Sequence, residues 1–190
     1  MNWSPNRPGM LQMRMGRTLF VFLLLPTLVG CASHGPSADS SGGRAAALDC
    51  APFARALSGI RLSGAAADWW AQAEGRYDRA ATPAVGSVLV LRRSGRLPNG
   101  HVAVVSEVLG LRTILVTQAN WVHHRVAEDQ PVIDVSPAND WSVVRVWWPP
   151  AGDMGVTGYA AYGFIRADRA ATHEEIAAAI PRAIRIAEAE

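Results

Sequence analysis

Cys50 and His101 are the two residues of this chain best equipped for nucleophilic chemistry. The 190 residues include two cysteines. Cys31 directly follows Leu28-Val29-Gly30, where a lipoprotein signal would consume it. Cys50 is then a thiol without an intramolecular partner, and in an oxidising compartment such a thiol is a liability unless it has a task. It opens the helical pattern Cys50-Ala51-Pro52-Phe53-Ala54-Arg55-Ala56-Leu57. A helix N-terminus lowers a thiol pKa, and the thiolate is the nucleophile. Downstream, Gly100-His101-Val102-Ala103-Val104-Val105 places a histidine at the head of a strand. One cysteine with a distant histidine is the outline of a thiol hydrolase. The thiolate attacks a carbonyl, while the imidazole takes the thiol proton and returns it to the leaving amine.

Farther on, Gln118-Ala119-Asn120-Trp121 adds polar groups. Gln118 and Asn120 are expected on one face of a strand, because side chains repeat every two residues there. One of them orients His101, and the other shares that role or polarises the carbonyl. Backbone N–H groups at the start of the Cys50 helix are candidates for an oxyanion hole. Trp121 is the candidate for shielding the catalytic pair and meeting substrate. The remaining tryptophans read as core or rim, and His123 and His124 as loop residues. One cysteine with scattered histidines is a poor metal-ligand set, so neither metal nor cofactor is expected.

The elements that must position these residues follow from the pattern. Helices are predicted at about 50–58 and over Ala66 to Gln72. Strands are predicted at Ser87–Leu91, His101–Leu109, Thr113–Gln118, Pro131–Val135 and Ser142–Trp147, each rich in Val, Ile or Leu. Asn99-Gly100 marks the turn before the histidine strand. Helices first and an antiparallel meander after make an α+β fold. Ala170 to Glu190 repeats apolar residues at helical spacing, with Pro181 expected to kink or break the helix.

The N-terminus reads as an address. Arg7, Arg14 and Arg17 precede the apolar run Thr18–Val29, too short to span a bilayer comfortably and interrupted by Pro26. Residues 1–30 are therefore expected to be a signal peptide of lipoprotein type, with Cys31 lipidated. Residues 31–46 are a Gly/Ser-rich tether, 47–166 the catalytic domain and 167–190 a helical tail. All eighteen basic residues are Arg, against sixteen acids. Loss of the signal removes three Arg and leaves a net charge of about −1, with no basic patch that would argue for nucleic acid.

Taken in order, Leu48-Asp49-Cys50-Ala51, Trp69-Trp70, Gly86-Ser87-Val88-Leu89-Val90, Gly100-His101-Val102-Ala103-Val104-Val105 and Gln118-Ala119-Asn120-Trp121 resemble a CHAP domain. This is the family of cysteine, histidine-dependent amidohydrolases/peptidases. The later Asp134-Val135-Ser136, Asn139-Asp140-Trp141-Ser142 and Tyr162-Gly163-Phe164-Ile165 resemble a bacterial branch of it. The resemblance implies a papain-like fold and hydrolysis of peptidoglycan, either as an N-acetylmuramoyl-L-alanine amidase or as an endopeptidase. It implies Cys50 and His101 as the catalytic pair. Gln118 departs from the family, which usually carries Glu there. An amide can hold the imidazole tautomer but cannot neutralise an imidazolium. A catalytically weak or inactive envelope protein of this kind that binds peptidoglycan or a partner is the alternative. The expected location is the cell envelope, lipid-anchored at the outer membrane and facing the periplasm.

Overall fold

Runs of Val, Ile and Leu that bury both faces leave little choice but a sheet covered on each side. A computed structural model describes residues 48–190. The expected signal peptide, the Cys31 lipidation site and the tether lie outside the described residues. Eight strands follow in chain order: β1 Asp78–Ala80, β2 Val88–Leu91, β3 His101–Gly110, β4 Thr113–Ala119, β5 Val126–Asp134, β6 Val143–Trp148, β7 Asp153–Met154 and β8 Tyr159–Arg166. Three helices accompany them: α1 Cys50–Ser58, α2 Trp69–Gln72 and α3 His173–Ala187. The architecture is α+β with an antiparallel sheet.

The strand order is β1-β8-β2-β3-β4-β5-β6-β7, and β8 also pairs with β6. Strands β2 to β6 and β8 therefore close into a barrel, with β1 and β7 as short edges. The meander expected from the sequence corresponds to β2 through β6. Closure by β8 was not among the predicted strands, and β5 begins earlier than predicted, at Val126. Closure satisfies backbone groups that an open edge would leave unpaired.

Alternation along the strands divides the core. Leu89 and Leu91 of β2, Ala103 and Val105 of β3, and Ile114 and Val116 of β4 fill the barrel with Trp141 and Phe164. Val88, Val90, Val102 and Val104 face the other way and pack under the helices with Phe53, Leu57 and Trp69. Helix α1 buries Phe53, Ala54 and Leu57, and stops at Gly59, whose φ of 78° gives a left-handed cap.

Helix α3 docks on the same core through Ile176, Ile180, Ala183 and Ala187. A capping box starts it: the Glu175 N–H donates to Thr172 Oγ1 at 3.2 Å and the Thr172 N–H to Glu175 Oε2 at 2.9 Å. Pro181 does not break it, since the helix continues to Ala187. Proline costs a helix interior about 3 kcal/mol. Here apolar side chains before and after it are pinned to the core, and burying them offsets that cost. Ile180→Ala is expected to destabilise the fold by about 2–5 kcal/mol. The measure is the urea midpoint, and an unchanged midpoint would mean that α3 is not docked in solution.

Candidate active site

Cys50 is the first residue of α1, and His101 is the first residue of β3. Strand β4 runs antiparallel to β3 and ends at Ala119, so Gln118 reaches the same end of the barrel. His101 shares the strand face of Ala103 and Val105, and Gln118 that of Ile114 and Val116, so both point toward the barrel interior at its mouth. Both are buried, His101 to 4% exposure and Gln118 to 1%. His101 Nε2 lies 3.0 Å from Gln118 Oε1. With that oxygen accepting, Nε2 carries the proton and Nδ1 is left for the thiol. Cys50 and His101 line the same cleft and lie close enough that the charge of each shifts the other's titration.

Burial pushes the Cys50 thiol up, and Asp49 adds to that. The His101 charge, the hydrogen bond from His101 and the Val102 N–H outweigh both and hold it below its ordinary value. Burial likewise pushes His101 down. The Cys50 thiolate and the hydrogen bonds of Cys50 and Gln118 outweigh it and hold the imidazole above its ordinary value. The two groups move in opposite directions because each stabilises the charged form of the other. Both shifts run toward the charged forms, thiolate and imidazolium.

Asn120 does not join Gln118 on a strand face. Strand β4 ends one residue earlier, and Asn120 takes a left-handed φ of 60°. Its Nδ2 donates to Asp49 Oδ1 at 3.0 Å, and its Oδ1 accepts the His124 N–H at 3.0 Å. Of the two polar residues, Gln118 makes the hydrogen bond to His101, whereas Asn120 ties the end of β4 to the residue before Cys50. Asp49 occupies the cap position of α1 without capping it. Sequence reasoning passed over Asp49, because an Asp before a helix reads as an ordinary cap.

Trp121 is placed against His101 rather than in the cleft. Its ring meets the imidazole edge-on, with centroids 5.0 Å apart, and meets Tyr159 at 5.2 Å. Its Nε1 donates to Trp147 O at 3.1 Å. The ring covers one edge of the histidine, and Trp121 is not among the residues that line the cleft. His123 and His124 lie in the following loop with ring centroids 3.8 Å apart, and neither lines the cleft.

Cys50 and His101 open on a cleft of about 1040 Å³, whose lining includes Asp49, Asn120, Arg55, Arg96 and the end of α3. The chain reaches His101 through Gly100, at φ 71°. A Cβ there would lie 2.6 Å from Leu91 O, 2.6 Å from Ala67 Cβ and 2.8 Å from Ala67 N. Only glycine fits, because two of those atoms belong to backbone that cannot retreat. Gly100→Ala is expected to lower the melting temperature and to displace His101, so that alkylation of Cys50 shifts to higher pH. A variant with wild-type alkylation would show that the close approach does not set the histidine.

Residues 39–120 match the family model of the CHAP domain. A search of curated proteins finds none that matches the chain.

Proposed function

Because residues 39–120 match the family model of the CHAP domain, we propose that this chain is a thiol hydrolase of peptidoglycan peptides. The observation that carries the reading is the placement of Cys50 beside the buried His101 at one cleft, with Gln118 holding the imidazole. The Cys50 thiolate attacks an amide carbonyl presented in the cleft. The N–H groups of Cys50 and Ala51 at the start of α1 have no partner inside the helix and are the candidates to receive the oxyanion, since Pro52 has no N–H. His101, already protonated, gives its proton to the leaving amine. It then takes a proton from the water that hydrolyses the thioester, and the pair is restored. The Gln118 amide holds the ring through Nε2 and adds no charge. This is sufficient when the imidazolium exists before substrate arrives. The nucleophile on a helix packed against a sheet that bears the histidine supports a papain-like arrangement. The paired thiol and imidazole favour catalysis over a binding-only role.

The test is mass spectrometry of fragments released from purified peptidoglycan. Fragments ending in newly freed amines or carboxylates are expected. Their identity assigns the cut to the muramoyl–alanine amide or to a bond within the peptide. No release by the wild type would overturn the reading.

We further propose export and lipid anchoring through Cys31, on Leu28-Val29-Gly30-Cys31. Ala32 follows, consistent with residence at the outer membrane, facing the periplasm. Cys31→Ala is expected to lose the membrane fraction. Full retention of the cleaved form with membranes would defeat the proposal.

A further inference from the structure

One wall of the cleft carries a guanidinium that the hydrolytic pair does not use. Arg55 lies on α1 beyond Cys50 and lines the same cavity. Its Nη1 donates to Leu62 O at 3.1 Å, which fixes the group against backbone. Its Nη2 pairs with the Glu190 carboxylate, brought there by the end of α3. The two side chains are 25% and 40% exposed. A guanidinium held on one edge and open on the other is a carboxylate receptor, since its fork matches two oxygens. An ion pair this exposed is weak and readily exchanged. Glu190 is therefore an occupant that another carboxylate can replace, within the cavity that holds the thiol.

We propose that Arg55 is the subsite for a free carboxylate of the substrate peptide, and that Glu190 occupies it in the substrate-free chain. This rests on the wall-hydrolase reading, because stem peptides of peptidoglycan carry free carboxylates beside their amide bonds. Discrimination between free and amidated carboxylates is then set on α1, away from the reacting atoms. The wall formed by the end of α3 makes that helix part of the recognition surface.

The test measures binding by calorimetry in a Cys50→Ala background, with soluble muropeptides in native form and with their carboxylates converted to primary amides. Native muropeptides are expected to bind more tightly than amidated ones. Arg55→Gln is expected to weaken native binding about tenfold, the effect of one charged hydrogen-bonded contact, and to leave amidated binding unchanged. Arg55→Lys should restore part of the difference. Glu190→Gln, at an exposed position, should tighten native binding a few-fold by removing the competitor. Equal binding of the two muropeptides, equal weakening of both by Arg55→Gln, or no effect of Glu190→Gln would overturn the proposal. Its failure is separable from that of the parent reading. A chain that cleaves wall without discriminating loses only the subsite, while one that discriminates without cleaving loses only the hydrolase.

Discussion

Cys50→Ser is expected to bring wall hydrolysis to background, a loss on the order of 10⁴- to 10⁶-fold, while leaving the melting curve unchanged. The size follows from the arrangement. Every step of the proposed reaction passes through the sulfur, and a serine hydroxyl at the head of α1 is not ionised by His101 as the thiol is. The stability expectation follows from geometry, since the hydroxyl replaces the thiol at a half-buried position on a helix end. The thiol itself should alkylate with iodoacetamide at a midpoint below the ordinary cysteine value of about 8.5. The sign comes from the pair. The thiolate forms above the Cys50 pKa, which is lowered, and keeps its imidazolium partner below the His101 pKa, which is raised. Activity should rise with pH as the thiolate forms and fall as the imidazolium loses its proton, giving a bell-shaped profile. A midpoint at or above the ordinary value would mean that His101 does not activate the thiol.

Gln118→Ala carries the second largest expectation, a loss of rate on the order of 10²- to 10³-fold, from a general acid–base contribution of about 10²–10⁴. It removes the acceptor 3.0 Å from His101 Nε2 and leaves that N–H buried without a partner. The ring is then free to turn and to present the wrong nitrogen to the sulfur. Gln118→Glu restores an acceptor and adds a charge, which favours the imidazolium and raises the His101 pKa further. The alkaline limb of the rate profile should move to higher pH, with the maximal rate changed by less than about tenfold. Kinetics across pH check both variants. A Gln118→Ala enzyme at wild-type rate would show that the tautomer is held elsewhere. An inactive wild type whose Gln118→Glu variant gains turnover would mark this chain as a degenerate enzyme.

Local patterns carried much of the fold. Helix α1 was legible because Phe53, Ala54 and Leu57 recur at helical spacing before Gly59, and strands β2 to β6 because short Val-rich runs alternate with turn signals. Strand β8 was not, since Tyr159 to Arg166 contains Gly163 and two alanines and lacks the density of β-branched residues that marks a strand. Its Gly163 is required by neighbours remote in sequence: a Cβ there would lie 2.6 Å from Ala80 O and 3.1 Å from the Trp70 ring. Pro181, expected to kink or break the helix, does not break it, for a related reason. Its local cost is real, but the docking of Ile176, Ile180 and Ala183 is a tertiary term that outweighs it.

The site divides along the same line. By itself the sequence determined the candidate groups: one thiol at a helix start, one imidazole at a strand head, and Gln118 and Asn120 following near a strand end. These are properties of residue type and local period, which a linear chain displays. Only the tertiary structure decided which polar group meets which. Closure of the barrel aligns the start of β3 with the end of β4 and so sets Gln118 against His101. The strand stops one residue short of Asn120, and its left-handed turn sends that amide to Asp49 instead. The docking of α3 on α1 brings Glu190 to Arg55, a contact between residues 135 apart in the chain. Such contacts depend on how elements pack, and packing is settled by buried area and closure summed over the whole core, which no local stretch of sequence records.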